Sequence, residues 1–376
     1  MQTVTSEKES GIYAVDGKKM VVTGYGASGS LVGGETLKRM DIERNLPGPD
    51  EVLIEVLYCG VCHSDIHQVA NDWKNTVYPC VPGHEVIGKV ASVGSSVTLF
   101  QPGDIVGVGC MIDSCQQCEE CNNGEEQFCQ GPHGPTMTYN GFWKPDEKGF
   151  NTFGGFSTHI VAKESFVLNI PSSLDIKAAA PILCAGVTTY SPMSHWGVEE
   201  GDHVGIIGIG GLGHMAVMIA KAMGAHVTAI TTKEEKREAA LQLGADEVLI
   251  SEDKDAMKAK EITLDFILCT IPEGFDVNPY ICLLRPRGAL ITVGLLGPYK
   301  EPTNNMEVAK LARTVGGSLI GGVRETQEAL EFCADHQILP QVEMIRMQDI
   351  NEAFKKINDE DVRFRYVIDM QSLREV

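Results

Sequence analysis

The 376-residue chain has too little positive charge to suit a polyanion: 51 Asp and Glu stand against 31 Lys and Arg, a formal net charge of −20. Such an average field repels phosphate backbones and anionic membrane surfaces, so neither nucleic acid nor a membrane is an expected partner. A run of about 20 apolar residues able to span a bilayer is also missing. The longest apolar stretch, Val204–Ala220, is broken by Gly205, Gly208, Gly210, Gly211, Gly213 and His214. The polar segment Met1–Ser10 has no apolar core of the kind a secretory or transit signal needs, which gives a cytoplasmic location as the expectation. Internal repeats and low-complexity tracts are absent. With 43% apolar and 22% charged residues, a disordered, collagenous or coiled-coil chain is excluded as well.

What the chain does hold is twelve cysteines. Without an export signal, metal binding or catalysis is a better reading of them than disulfides. Cys115, Cys118, Cys121 and Cys129 follow the spacing C-x2-C-x2-C-x7-C. Four thiolates on one short loop satisfy the tetrahedral preference of zinc and leave no position open, so this site reads as structural. An iron–sulfur cluster is the rival for four cysteines, but nothing else in the chain suggests electron transfer. A nucleic-acid zinc ribbon is disfavoured by Glu119, Glu120, Glu125 and Glu126 on the same loop.

The fold class expected is α/β, in two parts. Up to about Pro171 the chain alternates in short strands, as in Glu51–Val56, punctuated by Pro82-Gly83 and Pro102-Gly103. From His203 onward strands are predicted at His203–Ile209, His226–Thr231, Glu247–Ile250, Leu264–Thr270 and Ala289–Leu295. Helices are predicted between them at Gly211–Met223, Lys233–Leu243 and Asp276–Leu284. This βαβ alternation implies a doubly wound parallel sheet. A strand Ser318–Gly321, helices Glu325–His336 and Ile350–Ile357, and a strand Phe364–Met370 complete the expectation.

Gly208, Gly210 and Gly213 form G-x-G-x-x-G, with Gly211 and Leu212 inside it, after the first of these strands and at the start of a helix. In that context the glycines allow a tight turn and close backbone approach to a pyrophosphate. An Asp or Glu at the end of the second strand would grip the ribose 2′-hydroxyl of NAD; Thr231, Thr232 and Lys233 stand there instead. Two hydroxyls with Lys233 and Lys236 suit the 2′-phosphate of NADP, whereas Glu234 and Glu235 weigh towards NAD.

Earlier, Cys62-His63-Ser64-Asp65-Ile66-His67 follows a predicted strand, and Gly83-His84-Glu85 opens the spacing G-H-E-x2-G-x5-G-x2-V through Gly88, Gly94 and Val97. This pattern resembles the zinc-containing alcohol dehydrogenases of the medium-chain dehydrogenase/reductase superfamily. Pro181–Pro192 and Asp361–Asp369 resemble the cinnamyl alcohol dehydrogenase branch, and the likeness covers nearly the whole chain.

That resemblance implies a mainly-β GroES-like catalytic domain at 1–173 carrying the structural zinc lobe. It also implies a Rossmann NADP-binding domain at 174–317 and a return to the catalytic domain at 318–376. It implies two zinc ions per chain. Cys62, His84 and Cys184 would hold the catalytic one with Glu85 as exchangeable fourth ligand, and Asp65 would orient the zinc histidine. Ser64 and His67 would relay a proton, and His63 would lie near the pyrophosphate. Thr188, Val293-Gly294-Leu295 and Ser318-Leu319-Ile320 would surround the nicotinamide. Gln68 matches a pocket glutamine, while Gly134 replaces a tryptophan of plant members, and the insert from Pro135 to Asn151 is closer to bacterial relatives. The expected activity is reversible reduction of a broad range of aromatic and aliphatic aldehydes by a homodimer. An NAD-linked alcohol or polyol dehydrogenase is the nearer alternative, and a non-catalytic zinc-stabilised dinucleotide sensor is the one from another class. Cys59, Cys80, Cys110, Cys269, Cys282 and Cys333 are left as buried free thiols.

Overall fold

The computed structural model describes residues 12–15, 18–31, 34, 36–294, 297–359 and 364–374. Leu295 and the segment Asp361-Val362-Arg363 lie outside the described residues. Internal contacts divide the chain into two units. The first takes Met1–Cys184, Gly322–Glu331 and Leu339–Val376; the second takes Ala185–Gly321 and Phe332–Ile338.

In the first unit, the strand Glu51–Val61 is the hub of a seven-stranded sheet. Along one edge it pairs with Val86–Val93, and along the other with His159–Lys163 near its start and Arg365–Asp369 near its end, in each case antiparallel. Ile105–Val108 and then Leu168–Asn169 extend one edge, and Val342–Arg346 the other. Val52, Ile54, Val56, Val86, Val90 and Ile160 from these strands bury against Phe156, Met347 and Phe354, which is the area-proportional driving force holding the sheet. Lys19–Gly26 pairs with Ile12–Val15 and Lys38–Asn45 in a separate antiparallel sheet.

Register explains why chemistry collects at one end of the larger sheet. Cys59 lies opposite Val86, Val86 opposite Val108, and Val61 opposite Tyr366. Continuing each strand by one to three residues therefore brings Cys62, His84-Glu85, Cys110 and Arg365 to the same edge. The 3-10 helix Ala180–Leu183 lies near it and leads into Cys184. A Cβ on Gly109 would stand 3.0 Å from the Leu183 carbonyl oxygen.

The second unit is a six-stranded parallel sheet. Its strands, in spatial order, are Glu247–Ile250, His226–Thr231, His203–Ile207, Leu264–Cys269, Leu284–Thr292 and Thr314–Gly317. Numbered along the chain this is 3-2-1-4-5-6, the doubly wound order with its switch point between the first and fourth strands.

Four expectations need correction. The strand placed at Ser318–Gly321 is Thr314–Gly317: Gly316 and Gly317 read as a break, yet a Cβ at Gly316 would meet Ile291 Cδ1 at 3.3 Å, so a bare backbone suits the pairing. The helix placed at Asp276–Leu284 shrinks to Asn278–Ile281, with Pro279 in its first turn and Asp276 accepting the Asn278 amide at 3.0 Å. Leu284 instead opens the fifth strand, where Leu284–Thr292 begins earlier than predicted. The helix placed at Lys233–Leu243 divides into a 3-10 turn Glu234–Lys236 and a helix Arg237–Gln242. Helices Lys254–Ala259 and Asn305–Ala309, each capped by an Asp or Asn side chain, were not anticipated. No described helix is long and apolar enough to cross a membrane.

Candidate active site

The donor atoms of Cys62, His84, Glu85 and Cys184 all lie within 4.8 Å of one another, and all four residues are buried. His84 Nε2 is 3.2 Å from Cys184 Sγ. Cys62 ends the hub strand and precedes the helix His63–Ala70, while His84 and Glu85 precede the neighbouring strand. One carboxylate ties these segments together. Asp65, fully buried, accepts the Cys62 amide on Oδ2 at 2.9 Å and the Gly83 amide on Oδ1 at 2.9 Å. Its Oδ1 also lies 3.0 Å from His84 Nδ1. As third residue of the helix it occupies the place where an acid meets the free N-terminal amides. The hydrogen bond to Nδ1 leaves Nε2 as the ligating nitrogen.

Burial alone would lower the His84 imidazole, but Asp65 and Cys110 outweigh it and hold the ring well above its ordinary value. The buried Cys2His set with a carboxylate beside it fits zinc with a replaceable position. The Glu85 carboxylate forms a buried ion pair with Arg365. Room for it comes from Gly60, where any Cβ would stand 1.9 Å from Oε2.

Cys115, Cys118, Cys121 and Cys129 form a second cluster with donors within 4.8 Å. The Gln130 amide donates to Cys118 Sγ at 3.4 Å, and the Cys115 and Gly131 amides donate to Cys129 Sγ at 3.4 and 3.3 Å. Amides of Gln117 and Cys118 pull the Cys115 thiol down to about 6. At Cys115 the loop thus favours the thiolate, the form a metal binds, whereas burial raises the Cys121 and Cys129 thiols.

On the helix His63–Ala70, His63 and His67 stack with ring centres 4.8 Å apart. His67 Nδ1 is 2.8 Å from Asp72 Oδ2, and its buried Nε2 has no partner. Ser64 lies three residues before His67, on the same helical face. Burial, followed by His67, lowers the His63 imidazole. Gln68 is spent on the adjoining loop, its Nε2 donating to Asn75 Oδ1 at 3.0 Å and Thr76 Oγ1 at 2.8 Å.

In the second unit the three glycines of the turn have separate tasks. Gly208 has φ +87°, a left-handed conformation. At Gly213 a Cβ would lie 1.8 Å from the Gly208 carbonyl oxygen, whereas at Gly210 it would meet nothing within 4 Å. The open backbone at Gly210 is what a diphosphate needs to approach the turn before the helix Gly213–Ala222. Gly211 and Leu212 complete the turn. Thr231 ends the second strand, and its Oγ1 accepts the Lys233 amide at 3.2 Å. Thr232 follows it, and Lys236 closes the 3-10 turn. Glu234, which weighed towards NAD, is held by Arg237. Thr188 is buried with its hydroxyl unpartnered. Val293 and Gly294 follow the fifth strand, where the Val293 amide donates to the Cys269 carbonyl at 3.0 Å. Ser318, Leu319 and Ile320 follow the sixth strand and so also lie beyond the carboxyl ends of the sheet.

Asp72, Arg365 and Tyr139 went without a role in the sequence reading, and Cys110 was read only as a buried free thiol. Tyr139 is buried with its ring 5.6 Å from that of His84. Only Asp72 had a local signal, a carboxylate just past a helix bearing two histidines. Cys110 and Cys282 are partly exposed, unlike the other four thiols expected to be buried.

Residues 48–172 match the alcohol dehydrogenase GroES-like domain and residues 211–335 the zinc-binding dehydrogenase family. The chain is 49% identical to aldehyde reductase YahK of Escherichia coli over 92% of its own length and 98% of that protein. Among solved structures, cinnamyl alcohol dehydrogenase SbCAD4 of Sorghum bicolor superimposes with a TM-score of 0.87 at 41% identity, covering 93% of this chain and 98% of that one. A cinnamyl alcohol dehydrogenase of Helicobacter pylori, complexed with NADP(H), gives 0.84 at 39% identity with the same coverage. Two clustered donor sets, a doubly wound sheet and these likenesses agree: the chain belongs to the zinc-containing alcohol dehydrogenases of the medium-chain dehydrogenase/reductase superfamily, in their cinnamyl alcohol dehydrogenase-like branch.

Proposed function

We propose that the protein is an NADP(H)-linked aldehyde reductase of broad specificity, taking aromatic and aliphatic aldehydes, with one catalytic and one structural zinc per chain. The observation that carries this reading is the buried convergence of Cys62, His84, Glu85 and Cys184 donors within 4.8 Å. When bound, zinc supplies Lewis acidity to the substrate oxygen and NADP(H) supplies or takes the hydride.

The chain's own residues then have distinct work. Cys62, His84 and Cys184 would hold the metal, with Glu85, whose buried carboxylate pairs with Arg365, as an exchangeable fourth donor. Ser64 exchanges a proton with the substrate oxygen side, and His67, fixed at Nδ1 by Asp72, passes it on through Nε2. His63 and the turn from Gly208 to Gly213 receive the diphosphate. Thr231, Thr232, Lys233 and Lys236 favour a 2′-phosphate over a bare ribose hydroxyl. Support for NADP comes from the absence of a carboxylate at Thr231–Lys233 and from the NADP(H) complex of the Helicobacter pylori relative. The same proposal includes a cytoplasmic homodimer, for which sedimentation of the purified protein is the check.

Steady-state rates with NADPH and NADH on benzaldehyde, cinnamaldehyde and a short aliphatic aldehyde test the reading. A preference for NADPH with turnover of all three is expected, and a tenfold advantage for NADH overturns the cofactor assignment. Metal analysis should return two zincs per chain, falling to one in Cys184→Ala.

A further inference from the structure

One thiol beside the catalytic set has no part in the chemistry described so far. Cys110 stands two residues beyond Val108, which pairs with Val86, just as His84 stands two residues before Val86. The Thr138 amide donates to the Cys110 carbonyl at 3.0 Å and the Thr138 hydroxyl to the Gly109 carbonyl at 2.5 Å. This pins the segment where the Gly109 backbone abuts Leu183. Cys110 and Cys184, which follow Gly109 and Leu183, are thereby held close enough for their thiols to influence one another. Cys110 is partly exposed, whereas Cys59, Cys80, Cys269 and Cys333 are buried. Cys282, also partly exposed, faces the Glu307 carboxylate at 3.6 Å. Of the six cysteines outside the two donor clusters, Cys110 thus combines a residue that is not fully buried with a ligand cysteine as neighbour.

We propose that Cys110 and Cys184 form a peroxide-sensitive dithiol whose closure to a disulfide ejects the catalytic-site zinc. The inference rests on the reading that Cys184 is a zinc ligand. The Cys110 sulfur attacks hydrogen peroxide: an S–O bond forms, the O–O bond breaks, and the first water leaves a sulfenic acid. The Cys184 sulfur then attacks the Cys110 sulfur, forming S–S and breaking S–O, and the departing hydroxide becomes the second water. Two thiols lose two electrons and peroxide gains them; where Cys184 begins as a metal thiolate, one proton comes from solvent. A disulfide sulfur is no thiolate donor, so Cys62, His84 and Glu85 are left to hold the ion, and it departs.

The test treats the zinc-loaded enzyme with excess hydrogen peroxide. It follows zinc release with a chromophoric chelator, residual activity, and peptides under non-reducing mass spectrometry. The expected result is release of one zinc per chain, a peptide pair linked through Cys110 and Cys184, and a loss of activity of at least about tenfold. Dithiothreitol with added zinc should restore it. Cys110→Ser and Cys110→Ala, each scored against its own untreated activity, should lose activity at least fivefold more slowly. Equal inactivation rates in wild type and both variants, or activity lost with no such linked pair, overturn the proposal. Linked peptides confined to Cys115–Cys129 would likewise place the sensitivity in the other cluster. Metal content before treatment checks the zinc reading separately, because the linked peptide is measurable whether or not zinc was present.

Discussion

Replacing Asp65 by Asn keeps shape and burial while altering one acceptor. Oδ1 receives the Gly83 amide at 2.9 Å and lies 3.0 Å from His84 Nδ1, while Oδ2 receives the Cys62 amide at 2.9 Å. An Asn that keeps its oxygen at the Oδ1 position must turn its NH2 group towards the Cys62 amide, setting donor against donor. A hydrogen bond to a charged group is worth about 1.5–3 kcal/mol, and an amide left unpaired costs about 1–3 kcal/mol more. Part of this falls on folding and part on the metal, because the lost bond fixes the backbone of the residue supplying a ligand thiol. Substitutions of groups that orient metal ligands typically weaken affinity or activity about 10–100-fold, or about 1.4–2.8 kcal/mol. Zinc competition against a chromophoric chelator, kcat/KM and thermal unfolding of the same preparation measure these shares. Asp65→Asn is expected to lose at least about tenfold in zinc affinity, and Asp65→Ala more. Zinc affinity within twofold of wild type, with unchanged Tm, would show that Asp65 neither orients His84 nor braces Cys62.

Gly213→Ala should disrupt the turn, its Cβ falling 1.8 Å from the Gly208 oxygen, and lower both Tm and NADPH affinity. Gly210→Ala should leave Tm unchanged yet weaken NADPH by about tenfold or more, ~1.4 kcal/mol, as isothermal titration would record. Arg365→Met leaves the Glu85 carboxylate buried without its partner, a loss of about 3–5 kcal/mol; urea unfolding should show much of it recovered in the Glu85→Gln, Arg365→Met double variant. Acid should destabilise the protein through histidines buried in the neutral form. Burial lowers His159 and His214 to about 4 each, below the ~6.5 of an unfolded histidine. Between those values the unfolded chain binds more protons, so this stability is present above pH ~6.5 and drains away as pH falls towards 4, each group approaching ~1.4 kcal/mol per pH unit. Tm measured from pH 7.5 to 4.5 should decline in that window, and less steeply in His159→Gln; an identical pH profile in the variant refutes the assignment.

Residues whose partners are near in sequence were legible. The knuckle of Cys115 to Cys129 and the turn from Gly208 to Gly213 carry their geometry in their spacing, and the strands His226–Thr231 and Glu247–Ile250 have the predicted limits. Cys62, His84 and Cys184 were legible only through family likeness, since nothing in their separation shows that two strand ends and a 3-10 helix meet. Arg365 and Cys110 stayed hidden for the same reason: an arginine in a terminal strand and a lone cysteine after a glycine acquire meaning only once register sets them beside Glu85 and Cys184. The shifted sixth strand failed on propensity, because Gly316-Gly317 is a poor strand signal that packing against Ile291 overrides.

The position of Arg365–Asp369 inside the seven-stranded sheet, between Glu51–Val61 and Val342–Arg346, bears on how the chain matures on the ribosome. Synthesis delivers the N-terminal strands first, but the end of their hub, Tyr58–Val61, keeps one open edge until Arg365–Asp369 has emerged. All six strands of the nucleotide unit are by then complete, so that unit is free to fold while the earlier-made one waits. An open stretch on a central strand is a template for wrong partners. A messenger truncated just before Arg365 would yield a molecule missing its keystone strand, fit for degradation and not for partial service.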